Sequence, residues 1–92
     1  MQKKLYSIEE DNYLLESILN NSNKNIKSIS SSAHEKFNKV RTLDSYVMRI
    51  HNLRSYILGK GLEKIAPTHI HRIDNFLKNH STERFISQLE SI

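Results

Sequence analysis

Cysteine is absent from the 92 residues, which removes disulfide staples, thiolate metal centres and thiol redox chemistry together. Small secreted scaffolds usually depend on such staples, so an intracellular setting, cytoplasm or nucleus, is the expectation. Long apolar runs are missing as well. Residues 1–7 lack the apolar stretch of a signal peptide, and nothing approaches the roughly 20 apolar residues of a membrane span, so no membrane association is expected. Glycine is confined to Gly59 and Gly61, and proline to Pro67. Two glycines so placed do not make a phosphate-cradling loop, and no Ser, Thr or Lys falls into a nucleophile elbow or triad signature. The expectation is a non-enzymatic protein without a cofactor. Strict polar-apolar alternation is scarce too, and only residues 2–6 are a candidate extended segment.

What remains is polar and helical in pattern. A hydrophobic share of 37% against 26% charged residues leaves a thin core, enough for one helical domain over residues 1–92 and not for two. A thin core favours support from outside, so a protein partner or self-association is expected. The net charge of +4 is unevenly spread. Residues 1–30 hold four basic and four acidic groups, residues 31–72 eight and three, and residues 73–92 two and three. A basic middle can attract nucleic acid or an acidic protein face without distinguishing them, and a solvated helix face is the plain alternative.

Ser7 and Glu10 have capping-box spacing, so a first helix should begin there and run to about Asn20. Ile8, Leu14, Leu15, Ile18 and Leu19 draw its apolar stripe, and Glu9, Glu10 and Asp11 suit the positive end of the helix dipole. Residues 20–32 read as a polar loop, because their Asn and Ser side chains compete for backbone hydrogen bonds. Ser32 and Glu35 repeat the capping spacing and open one long central helix over residues 32–65. Its seam is Phe37, Val40, Leu43, Val47, Ile50 and Ile57, and Gly59 and Gly61 leave open whether it stops near Leu58 or continues. Pro67 forces a turn near Ala66. Thr68 caps a third helix with Ile70, Ile73, Phe76 and Leu77 inward, and Ser81 or Thr82 caps a fourth with Phe85, Ile86 and Leu89. The expected fold is all-α, a small four-helix domain with one long central helix.

Candidate sites follow from that helix. Tyr46, Leu53, Tyr56, Leu58 and Leu62 widen its apolar seam beyond what one neighbour needs, which makes them the candidate partner interface. Lys36, Lys39, Arg41, Arg49, Arg54 and Lys60 are the candidate contacts to nucleic acid or an acidic partner, by phosphate or carboxylate recognition. Residues 62–65, the turn, and the helix from His69 also outline a helix-turn-helix in which His69, His71 and Arg72 would face a DNA groove. As metal ligands, His69 and His71 project about 200° apart on a helix, which argues against a shared ion even with Asp74 nearby.

The run RIHNLRSYILGKGLEKI, residues 49–65, resembles the core helix of GINS complex subunits of the "Go" type. The matching positions are Ile50, Leu53, Ser55, Tyr56, Ile57, Leu62, Lys64 and Ile65. The resemblance implies a non-catalytic helical subunit that assembles with sister subunits and joins the replicative helicase. Arg54, Tyr56 and Lys64 would then be interface or core residues. The two glycines depart from the family's helix, and the family's small strand-rich domain has no counterpart in these residues.

Overall fold

The computed structural model describes residues 6–20, 25–59, 65, 67–80 and 82–91, and every regular element among them is helical. Five helices follow one another: α1 (Ile8–Leu19), α2 (Ile26–Lys36), α3 (Leu43–Ile57), α4 (Pro67–Lys78) and α5 (Thr82–Ser91). None is long and apolar enough to cross a membrane.

Helix α1 starts where its capping box stands. The Ser7 hydroxyl accepts from the Glu10 amide at 3.1 Å, and the Glu10 carboxylate accepts from the Ser7 amide at 2.8 Å. Half of the expected polar loop is in fact helical. Asn25 caps α2 through its side chain, which accepts from the Ser28 amide at 2.8 Å. Ile29 and Ala33 are then fully buried and Ile26 packs beside them, while Ser28, Ser31 and Ser32 face solvent. One apolar stripe overrides the poor helix propensity of four serines. Residues 21–24 of that expected loop lie outside the described residues.

The expected long central helix is two helices. α2 ends in a Schellman motif: the Asn38 amide reaches the Glu35 carbonyl at 3.2 Å, and the Lys39 amide reaches the His34 carbonyl at 2.8 Å. Asn38 and Lys39 are both left-handed, with φ of 55° and 57°. Asn tolerates that conformation better than most residues, so the chain turns without glycine. Thr42 then caps α3 by accepting from the Ser45 amide at 3.2 Å. At the other end, Leu58 caps α3 and Gly59 takes φ 69°, so the helix stops there. Residues 60–64, with Gly61, lie outside the described residues.

α1 is the hub. It packs against α2, α4 and α5, and α2 packs against α3. Leu14, Leu15, Ile18 and Leu19 of α1 meet Ile29 and Ala33 of α2, Tyr46, Ile50 and Leu53 of α3, Ile73 and Phe76 of α4, and Phe85 and Leu89 of α5. The Phe76 and Phe85 rings meet edge to face at 5.6 Å and join α4 to α5. Ile8, expected on the inner stripe, is instead 49% exposed.

Ser30 is fully buried, yet its hydroxyl has no hydrogen-bond partner. Desolvating a hydroxyl without a partner is unfavourable, and Ala is the better helix former. Ser30→Ala should therefore raise stability by about 1 kcal/mol. The check is a higher urea midpoint at unchanged slope, and a lower midpoint would contradict it.

Candidate functional site

Adjacent residues on a helix point about 100° apart, so Glu10 and Asp11 reach into two different groups of partners. Glu10 receives a two-pronged bond from Arg41, Nε to Oε2 at 2.7 Å and Nη2 to Oε1 at 2.9 Å, from the segment joining α2 and α3. The Tyr46 hydroxyl donates to Oε2 at 2.6 Å. Burial opposes the Glu10 charge, but the hydrogen bonds from Arg41, the Ser7 amide and Tyr46, with the Arg41 charge, outweigh it and lower the pKa to about 2. Burial, and then the hydrogen bond and charge of Glu10, push the Tyr46 phenol up, so it stays a donor.

Asp11 has no exposed surface. Arg49 of α3 donates from Nε to Oδ1 at 2.9 Å and from Nη2 to Oδ2 at 2.7 Å, and Arg72 of α4 donates from Nη1 to Oδ2 at 3.1 Å. Arg49 is itself buried, and its Nη2 also lies 3.0 Å from Nδ1 of the buried His69. Tyr6 closes the arrangement. The Arg41 and Arg49 guanidinium carbons lie 4.2 and 4.5 Å from its ring centre, and its carbonyl accepts from Arg72 at 2.9 Å. Its hydroxyl donates to the Ser45 carbonyl at 2.7 Å and pairs with the Ser45 hydroxyl at 2.8 Å. One polar cluster thereby ties the start of α1 to α3, to α4 and to the α2–α3 connection.

The sequence-predicted residues distribute as follows. Tyr46 and Leu53, expected to form a partner interface, have no exposed surface and belong to the core of this chain, because the stripe they share with Ile50 closes against α1 and α2. Tyr56 and Leu58 are half-buried against that core, and the Tyr56 hydroxyl donates to Asp74 at 2.9 Å. Among the expected cationic contacts, Arg49 is buried and Arg41 mostly so, each spent on a carboxylate, which corrects their reading as surface phosphate ligands. Arg54 is half-buried and donates to the Leu89 carbonyl at 3.1 Å. Lys36 is exposed with its Nζ 5.3 Å from the Tyr13 ring centre, and Lys39 is exposed 3.9 Å from Glu35. Leu62 and Lys60 lie outside the described residues.

His69 and Arg72 point into the bundle, so the expected groove-facing surface of a helix-turn-helix is turned inward. His71 is exposed while His69 is buried, so the two cannot share a ligand, and no group of three His, Asp or Glu suited to a metal occurs among the described residues. The residues that sequence reasoning passed over are Tyr6, with Glu10 and Asp11 as ion-pair partners, while His69 and Arg72, expected to face a groove, belong to the same buried cluster. Their signal was positional: Asp11 is spaced four and seven from Leu15 and Ile18, on the buried stripe itself. Compared with protein-family models, curated proteins and solved structures, the chain matches none.

Because the pKa of Glu10 falls from 4.5 to about 2, its pairing stabilises fully above about pH 4.5 and is lost as pH falls toward 2. The stability gap between the wild type and Glu10→Gln, measured by urea unfolding, should shrink across this window. A gap constant from pH 7 to 3 would contradict the assignment. Asp11→Ala, which strands two guanidiniums, should cost about 3–5 kcal/mol in the same measurement.

Proposed function

We propose that the chain is a non-enzymatic helical interaction module that binds a protein partner through Ile8, Val40 and Met48. The observation behind this reading is the exposure of these three large apolar side chains, at 49%, 48% and 58%. Scattered apolar residues on a surface need no explanation singly, and we read these three together because the polar cluster links the segments that carry them. Arg41, next to Val40, bonds Glu10, two residues after Ile8, and Tyr6 bonds Ser45, one turn before Met48. The cluster beneath fixes the backbones that carry them, so docking costs little ordering. Its charged residues are occupied by one another, which suits a scaffold.

The resemblance of residues 49–65 to a GINS core helix extends this proposal to sister helical subunits of a DNA replication assembly. Among the described members of the expected interface, Tyr56 and Leu58 are half-buried and keep surface to offer a partner. A second reading, nucleic-acid binding, draws on Lys27, Lys36 and Lys39, exposed along and just beyond α2. It would show as an affinity falling with salt at a slope of roughly 2 to 3 phosphates, and a flat response would end it.

The test compares a tagged wild type with a triple variant, Ile8→Ser, Val40→Ser and Met48→Ser, captured from the protein's own cells. A partner should co-purify in constant ratio with the wild type and be lost from the variant, whose circular dichroism stays unchanged. Replication subunits in that fraction would support the extended proposal. A wild type that stays monomeric and captures no protein in constant ratio sinks the reading.

A further inference from the structure

The His69 imidazole has one definable protonation state in its seat. Arg49 has only donors, so the 3.0 Å approach of its Nη2 makes Nδ1 of His69 the acceptor and places the single ring proton on Nε2. The charged groups around this contact come from every element packed on it: Asp11 from α1, Arg49 from α3, Arg72 from α4 itself, and the Tyr6 ring from the segment before α1. Among these, one carboxylate already faces two guanidiniums. The site carries one positive charge in excess while His69 is neutral, and a proton on Nδ1 would add a second and set N–H against N–H.

We propose that His69 is a proton-operated latch: on protonation at mildly acidic pH it drives the first turn of α4 out of its seat against α1 and α3.

His69 lies in that first turn, two residues into α4, and is buried. Hydrating an imidazolium requires the turn to move, because Asp11 and Arg49 are fixed on the hub helix and on α3. Burial first, and then Arg72 and Arg49, lower the His69 pKa, in keeping with this geometry. The open form binds the proton at the ordinary histidine value and the closed form resists it, so the closed state is favoured above about pH 6.5 and loses ground below it. Just past α4, His80 stacks on Phe76 at 4.0 Å and its Nδ1 donates to the Phe76 carbonyl at 2.8 Å.

The test is amide hydrogen exchange of the wild type and His69→Gln at pH 7.5 and 5.5, corrected for intrinsic rates. Glutamine offers an oxygen to Arg49 but does not titrate. Protection of α4 amides in the wild type should fall roughly tenfold between the two pH values, with α1 and α2 unchanged, and His69→Gln should show no such fall. The latch is overturned if α4 protection is constant, if all helices lose protection together, or if the variant behaves as the wild type. Should the variant not fold, the imidazole nitrogen shifts of the wild type decide instead. A His69 that is neutral with its proton on Nε2 at pH 7, and that titrates together with the α4 amide shifts, supports the latch. A ring already protonated at pH 7, or one that titrates without them, ends it.

Discussion

The carboxylate of Asp11, without exposed surface in the first turns of the hub helix, is the constraint from which most of this structure follows. A buried charge of that kind is sustained only by close, hydrogen-bonded opposite charge. The chain supplies Arg49 from α3 and Arg72 from α4, and those guanidiniums in turn need acceptors for their remaining donors. Arg49 finds His69, and Arg72 finds the Tyr6 carbonyl. Glu10 repeats the pattern one residue earlier with Arg41 and Tyr46. α3 packs mainly on α2, so this network is a principal bond between α3 and the hub.

The same network changes what the charge of the molecule means. On paper the middle of the chain is strongly basic, with eight cations in residues 31–72. Three of them, Arg41, Arg49 and Arg72, turn inward to two carboxylates. Among the described residues, the exposed charges are then Lys27, Lys36, Lys39, Lys78 and Arg84 against Glu9, Glu16, Glu35, Asp44, Asp74, Glu83 and Glu90. Across the described residues the exposed charges therefore hold no excess of cations, and the proposed reading draws instead on Ile8, Val40 and Met48.

Much of the fold was legible because its signals are local. The Ser7–Glu10 capping box and the stripes through Ile73 and Phe76 or Phe85 and Leu89 depend on residues within a few turns of each other, whereas the stop at Gly59 was one of two outcomes its glycine allowed. The α2 helix was hidden because burial of Ile29 and Ala33 against distant helices outweighs the local preference of its serines. The break after Lys36 was hidden because Asn38 does there what glycine usually does. The polar cluster is a different matter. Asp11 sits in register with Leu15 and Ile18, Arg49 with Tyr46, Ile50 and Leu53, and His69 with Ile73 and Phe76. Each breaks an apolar stripe at one position, and read singly each passes for a charge at the edge of its helix. Only their meeting in space reveals a shared cause, because pairing partners 20 to 61 residues apart leave no local spacing.

A small chain with a thin core has a physical reason to bury such a cluster. Pairs like these are weak net stabilisers beside well-packed apolar groups, so their value lies elsewhere. The seam of α3 alone, Tyr46, Ile50 and Leu53, is apolar at every turn and would accept a slip of one turn against its neighbours with modest loss. With Arg49 in that seam, the slip would bring Leu53 or Ser45 opposite Asp11 and leave its charge without a partner. On α4, the same slip would replace Arg72 with Phe76 or Thr68. The acid on the hub thus forbids registers that hydrophobic packing would tolerate, and it does so for two helices at once. A bundle held to a single register presents one fixed arrangement of Ile8, Val40 and Met48, which a specific docking surface requires.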